Sequence, residues 1–313
     1  VINADHLSKN YGPVRAVDGI SFDIEAGDIV GLLGPNGSGK TTIMRMLTGF
    51  FAPTSGTCSV AGVDLVDDSL GARRHIGYLP ENIALYPDMN VRGYLNFAAR
   101  TRDYGGNVKQ RVDDVMEECG LAHMARRTIG KMSKGYRQRV GIAQAIVHEP
   151  QVLILDEPTV GLDPRQIVEI RSLIRQLAGR STVLLSTHIL PEVSVTCRRV
   201  LILDEGRLVA EDTAEGLTKK TVGKREAVLR LRADAAEAAR VLGAVDGVES
   251  VELTATASDG TVSFLVAAAQ ATDLVPALVR EVSERGWPLY EATPRVMSLE
   301  ELFVKILEDG AGS

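Results

Sequence analysis

Residues 34 to 42 read GPNGSGKTT, placing Gly34, Pro35, Asn36, Gly37, Ser38 and Gly39 directly before Lys40, Thr41 and Thr42. The run matches G-x-x-x-x-G-K-[ST]. Glycines let the main chain curl around a phosphate, and a helix that starts at once adds free N–H groups and a positive dipole end. In that arrangement Lys40 reaches the terminal phosphates of a nucleotide and the Thr41 hydroxyl binds Mg²⁺. A second run, VLILDEP at 152 to 158, carries Asp156 and Glu157 to the carboxyl end of an apolar strand. Sites of α/β proteins lie at such ends. There Asp156 holds Mg²⁺ through water, and Glu157 orients or deprotonates an attacking water. A further carboxylate, Glu81, ends the strand-like run in IGYLPENIALYP. By itself it reads first as a solvated loop residue, with a ligand holder or a transmitter of a signal as the alternatives its neighbours must decide.

The elements that must position these groups follow from pattern. Short β-like runs at Val1–Asn3, Ser21–Ile24 and Asp28–Leu33 are separated by turn signals at Gly12-Pro13 and Ala26-Gly27. A helical pattern from Thr41 to Thr48 ends at Gly49, and residues 52 to 62 read as a turn and a strand. From about 90 to 149 the periodicity is mostly helical, broken at Gly105-Gly106. Strands Val152–Leu155 and Thr182–Leu185 flank a helix from Pro164 to Ala178, which makes a parallel βαβ unit. Composition shifts at 216 to 225, a linker. Beyond it come β (Ala227–Leu231), α (Ala233–Leu242), β (Val248–Thr254), β (Thr261–Val266), α (Ala271–Arg285) and β (Pro288–Glu291). This βαββαβ order predicts a ferredoxin-like α+β domain, followed by a last helix, Ser298–Glu308.

Bulk properties narrow the class. A chain of 313 residues suggests about two domains. Its formal charge of −6 and its 4 % aromatic content argue against a nucleic-acid partner, which calls for a basic surface or stacking rings. Three scattered cysteines, Cys58, Cys119 and Cys197, fit reduced thiols better than disulfides or zinc. The longest apolar runs are far shorter than a membrane span.

Between the phosphate loop and the carboxylate pair lies MSKGYRQR, residues 132 to 139. It resembles the signature sequence of ABC-transporter ATPases, usually Leu-Ser-Gly-Gly-Gln. VGLD then places Asp163 at that family's D-loop position, and STHIL places His188 at its switch histidine. Tyr11 matches the aromatic that stacks on adenine. The resemblance covers roughly residues 1 to 220. It implies an α/β P-loop NTPase fold with a helical subdomain at about 90–149, leaving 221–313 as an accessory domain. It also implies ATP and Mg²⁺ as ligands, with Thr41, Asp156 and Glu81 around the metal. Glu157, His188 and Lys40 would carry hydrolysis.

Further implications concern assembly. Ser133 is a good N-cap for a helix from about Lys134 to Val147, so its end offers a second anion site. The resemblance implies that two copies pair head to tail, with Ser133 and Gly135 of one facing the γ-phosphate held by the other. IGYLPEN is similar to the Q-loop, and Glu81 stands where a glutamine is usual; Asn82 to Asn90 would then face a membrane partner. Lys134 and Tyr136 depart from the usual signature, within a basic stretch of Arg126, Arg127, Lys131, Lys134, Arg137 and Arg139. That stretch reads as a solvated face, or as charge brought near the phosphate by Lys134 or Arg137. The LPEN stretch and the ending RVMSLEELFVKIL look like ATPases of multidrug, polysaccharide or gliding-motility exporters. The expected partners are therefore separate integral membrane permease subunits at the cytoplasmic side of the cell membrane. The competing expectations are a soluble ABC ATPase acting on ribosomes or DNA, and a nucleotide-gated structural protein without turnover.

Overall fold

The structure, a computed structural model, describes residues 1–189, 193, 195–213, 215–216, 225–268, 274–295 and 301–304. The chain divides into two compact units, Val1–Ala214 and Glu215–Lys305.

In the first unit, β1 (Ile2–Tyr11) and β2 (Val14–Ile24) form an antiparallel hairpin turned at Gly12-Pro13. Strands β4 (Ser55–Val60) and β5 (Val63–Asp64) extend it to a sheet of order β2-β1-β4-β5. Both hairpin strands are longer than the alternation predicts. His6 sits at φ +48°, and the β1–β2 register shifts between Ala4 and Leu7, so the period of two that marks a strand is interrupted there.

The second sheet holds the chemistry. Its strands are β3 (Ile29–Leu33), β6 (Ile76–Leu79), β7 (Val152–Leu155), β8 (Thr182–Thr187), β9 (Arg199–Asp204) and β10 (Arg207–Thr213). The order is β10-β9-β3-β8-β7-β6, parallel except for the β9–β10 hairpin. Every residue of β7 and β8 is buried, as expected of parallel strands covered on both faces. Neither β9 nor β10 was anticipated, although the buried run Val200–Leu203 is apolar enough to have marked the former.

Six α-helices accompany these sheets among the described residues: α1 (Lys40–Leu47), α2 (Ser69–Arg74), α3 (Val91–Thr101), α4 (Val108–Glu118), α5 (Lys134–Ile146) and α6 (Pro164–Leu177). Asparagines cap α3 and α4: Asn90 and Asn107 accept from Gly93 and Gln110 N–H. No helix among the described residues is long and apolar enough to cross a membrane.

The second unit runs β11 (Arg225–Arg232), α7 (Ala235–Gly243), β12 (Val248–Thr256), β13 (Thr261–Ala268), α8 (Leu274–Glu284) and β14 (Leu289–Arg295). Its antiparallel sheet has the order β12-β13-β11-β14. Ala227, Leu229 and Leu231 alternate inward and pack with Phe264 and the buried residues of both helices. Residues 217–224 of the expected linker and 271–273 of the expected helix start lie outside the described residues. Of the expected last helix, 301–304 are helical and the remainder lies outside them.

Candidate nucleotide site

Adjacency in the sheet assembles the site. Strand β8 lies between β3 and β7, with Leu33 paired to Thr187 and Leu155 to Leu185. The carboxyl ends of all three strands therefore open side by side, one leading to the glycine loop, one to Asp156-Glu157 and one to His188.

At the loop, Gly37 and Gly39 have φ of +89° and +101°. A Cβ on Gly39 would stand 2.6 Å from the Ala16 carbonyl oxygen, so only glycine fits. Gly39 is also the N-cap of α1 and has no side chain to bond the helix's first amides. The N–H groups of Lys40, Thr41 and Thr42 thus face the helix mouth as anion donors. Lys40 is 6 % exposed, and its ammonium donates to Gly34 O at 2.7 Å and Pro35 O at 2.9 Å. Burial pulls its pKa below the ordinary lysine range, opposed by the charges of Glu157, Asp156 and Glu81.

Asp156 is 1 % exposed. Its Oδ1 accepts from the Ser186 hydroxyl at 2.6 Å and lies 3.4 Å from the Thr41 hydroxyl oxygen. Its Oδ2 is buried with no hydrogen-bond partner. A carboxylate with one unpartnered oxygen, its other oxygen near the Thr41 hydroxyl, offers hard oxygen donors of the kind Mg²⁺ takes, so these residues fit that ion. Glu157 follows at φ +49°, in the left-handed region that costs a non-glycine residue about 1–3 kcal/mol. Its N–H donates to Ser186 Oγ at 2.9 Å, and both of its carboxylate oxygens lie 3.1 Å from His188 Nδ1.

A cleft of about 350 Å³ gathers Asn36, Gly37, Gly39, Lys40, Thr41, Thr42, Glu81, Glu157 and His188. Ala16 and Val160, which sequence reasoning passed over, complete the wall. Glu81 is exposed at its rim. Gly34 and Ser38 belong to the loop but do not line the cleft; Ser38 is buried, and a Cβ on Gly34 would stand 2.5 Å from Leu203 O. Ser186 was also missed; its signal is a small polar residue in a strand that is otherwise wholly buried.

Other expected residues stand elsewhere. Tyr11 ends β1, 43 % exposed, with its ring edge-on to Phe51 at 6.0 Å; it does not line the cleft. Ser133 caps α5 and lines a separate cleft with Arg126, Arg127 and Lys131. Gly135 and Asp163, the latter the N-cap of α6, line a third cleft. Arg137 is engaged by Met132 O, and Arg139 by Cys119 O and the Glu169 carboxylate.

A family profile described as "ABC transporter" matches residues 17–160. The "Daunorubicin resistance ATP-binding protein DrrA3" of Streptomyces coeruleorubidus is 36 % identical over 314 residues, covering 98 % of this chain and 96 % of that protein. The chain belongs to the ABC transporter family. The ABC subunit is also 39 % identical over 222 residues to the "Bacitracin transport ATP-binding protein BcrA" of Bacillus licheniformis, covering 70 % of this chain and 72 % of the relative. A solved "ATP binding subunit of ABC transporter" superposes with a TM-score of 0.64 at 30 % identity, covering 70 % of this chain and 92 % of that one. The protein is thus the ATP-binding, ATP-hydrolysing subunit of an ABC transporter.

Proposed function

We propose that this ABC subunit works as one half of a head-to-tail pair, powering export through separate integral membrane permease subunits from the cytoplasmic side of the membrane. The observation that carries this reading is the separation of two anion-binding helix ends. The mouth of α1 opens into the cleft with Glu157 and His188, whereas Ser133 and Gly135 at the start of α5 line other clefts. A second copy supplies the missing side of each nucleotide.

Within that reading, the α1 amides and Lys40 grip the β- and γ-phosphates. Lys40 exchanges its bonds to Gly34 O and Pro35 O for phosphate oxygens. Glu157 takes the proton of the water that attacks the γ-phosphorus as the bond to ADP breaks, and His188 holds the Glu157 carboxylate in place. Mg²⁺, when bound, neutralises developing phosphate charge. Thr41, Asp156 and, at the rim, Glu81 are the residues that would hold it. Tyr11 meets the adenine ring, and Asp163 lies at the contact between copies.

Export is supported by the relatives named for daunorubicin resistance and bacitracin transport. A boundary near residue 220 separates the ATPase domain from a ferredoxin-like accessory domain; the β12-β13-β11-β14 order supports the latter. Size-exclusion chromatography of Glu157→Gln tests the pairing. A shift from monomer to dimer with Mg²⁺-ATP, and none with Mg²⁺-ADP, is expected. A persistent monomer, or native protein that purifies with ribosomes or DNA and no membrane subunit, overturns the reading.

A further inference from the structure

We propose that Ser186 is a positioning residue that aims one oxygen of Asp156 at the metal and fixes the backbone that carries Glu157. This rests on the metal-binding reading of Asp156 given above.

The hydroxyl is shared between the two carboxylate-bearing residues. Ser186 is 0 % exposed at the end of β8, next to β7. A serine hydroxyl has one proton to donate and lone pairs to accept. The proton goes to Asp156 Oδ1 at 2.6 Å, and a lone pair receives the Glu157 N–H at 2.9 Å. Both bonds join residues about thirty positions apart along the chain, so they depend on β7–β8 pairing.

Two consequences follow. Asp156 has its Oδ1 committed to protein donors, and the rotamer this fixes leaves Oδ2 buried without a partner. Such an atom is costly unless a cation meets it. Meanwhile the left-handed Glu157 backbone, φ +49°, is pinned through its own amide. Alanine at 186 would strand that amide in the interior and free the Asp156 carboxylate to rotate.

The test is binding of a mant-labelled, non-hydrolysable ATP analogue to the full-length protein, with EDTA and with Mg²⁺. Ser186→Ala is expected to bind within twofold of the parent in EDTA and to lose about tenfold of the Mg²⁺-dependent tightening. Ser186→Cys fills nearly the same volume but is a weak donor and acceptor, and it is expected to behave like alanine. Parent-like Mg²⁺ dependence in Ser186→Ala overturns the proposal. So does parent-like behaviour of Ser186→Cys beside a defective Ser186→Ala, since volume alone would then explain the loss. A parallel drop in EDTA and Mg²⁺ also overturns it, as a general structural defect. Asp156→Asn separates the premise from the proposal: if that variant keeps the Mg²⁺ effect, the metal reading itself fails.

Discussion

Glu157 has a buried carboxylate, a strained backbone and a histidine against both oxygens. In the proposed function, that placement suits it to take a proton from the attacking water. General-base contributions are typically about 10²–10⁴-fold. Glu157→Gln is therefore expected to slow phosphate release by that range while nucleotide binding, followed by fluorescence, is kept. Glu81 sits at the rim of the cleft that Lys40 also lines, and its charge helps to oppose the lowering of the Lys40 pKa. Glu81→Gln should keep Mg²⁺-ATP binding, whereas Glu81→Ala should uncouple hydrolysis from the membrane partner; unchanged coupling in reconstituted vesicles refutes this role. His148 belongs to stability. Burial, reinforced by Arg102 and Arg111, pushes its pKa down to about 4, and its Nε2 lies 3.0 Å from Ile76 O. Its Nδ1 is buried without a partner, so a second proton there has no acceptor. The unfolded chain takes that proton near pH 6.5 and the folded one resists to about 4. Stability is thus fully present above pH 6.5 and falls as pH drops toward 4, by on the order of 1 kcal/mol at pH 5 after solvent screening. Melting temperatures across pH 5–7.5 should show this loss, and His148→Gln should flatten it.

Among the elements, α5 and α6 meet where the signature glycine is needed. A Cβ on Gly135 would lie 2.6 Å from the Gln166 side-chain carbon and oxygen, at the third position of α6. Gly135→Ala is expected to cost no more than about 1 kcal/mol, the low end of overpacking, because the Gln166 side-chain end can swing aside; denaturant unfolding reads it. Gln166→Ala in the same chain should recover most of it, because the obstructing atoms are a side-chain end. The cap of α5 is weak by comparison: Ser133 Oγ is 3.5 Å from the Tyr136 N–H. Ser133→Ala should therefore cost less stability than the roughly 1 kcal/mol of a good N-cap and act mainly on turnover in the assembled pair. The phosphate loop shows why some elements could be read in advance. Gly39, Lys40 and Thr41 are fixed by local geometry, a left-handed turn running straight into a helix, and local geometry is written in adjacent residues. Strand β1 was cut short because the interruption at His6 hides its alternation, and its continuation is held by pairing with β2 and β4.

For the whole molecule, the two units keep separate cores. The first is built from residues such as Leu7, Val30, Met44 and Ile154, the second from Ala227 to Val282. A fragment of residues 1–214 is accordingly expected to fold cooperatively and bind the fluorescent ATP analogue within about threefold of the full chain, since each core of this kind can fold alone. A fragment that fails to fold shows that the units depend on each other.

The identity of the chemistry lay in the sequence. A glycine loop before a helix, an Asp-Glu pair ending an apolar strand, and the residues SKG at 133 to 135 each depend on neighbours along the chain. Their meeting did not. Placing β8 between β3 and β7 brings Thr41, Glu157 and His188 to one cleft, sets the buried Asp156 carboxylate near the Thr41 hydroxyl, and inserts Ser186 between that carboxylate and the Glu157 amide. Strand order comes from which buried faces and hydrogen-bonding edges fit across long separations, a balance summed over the whole core that no single stretch of sequence carries.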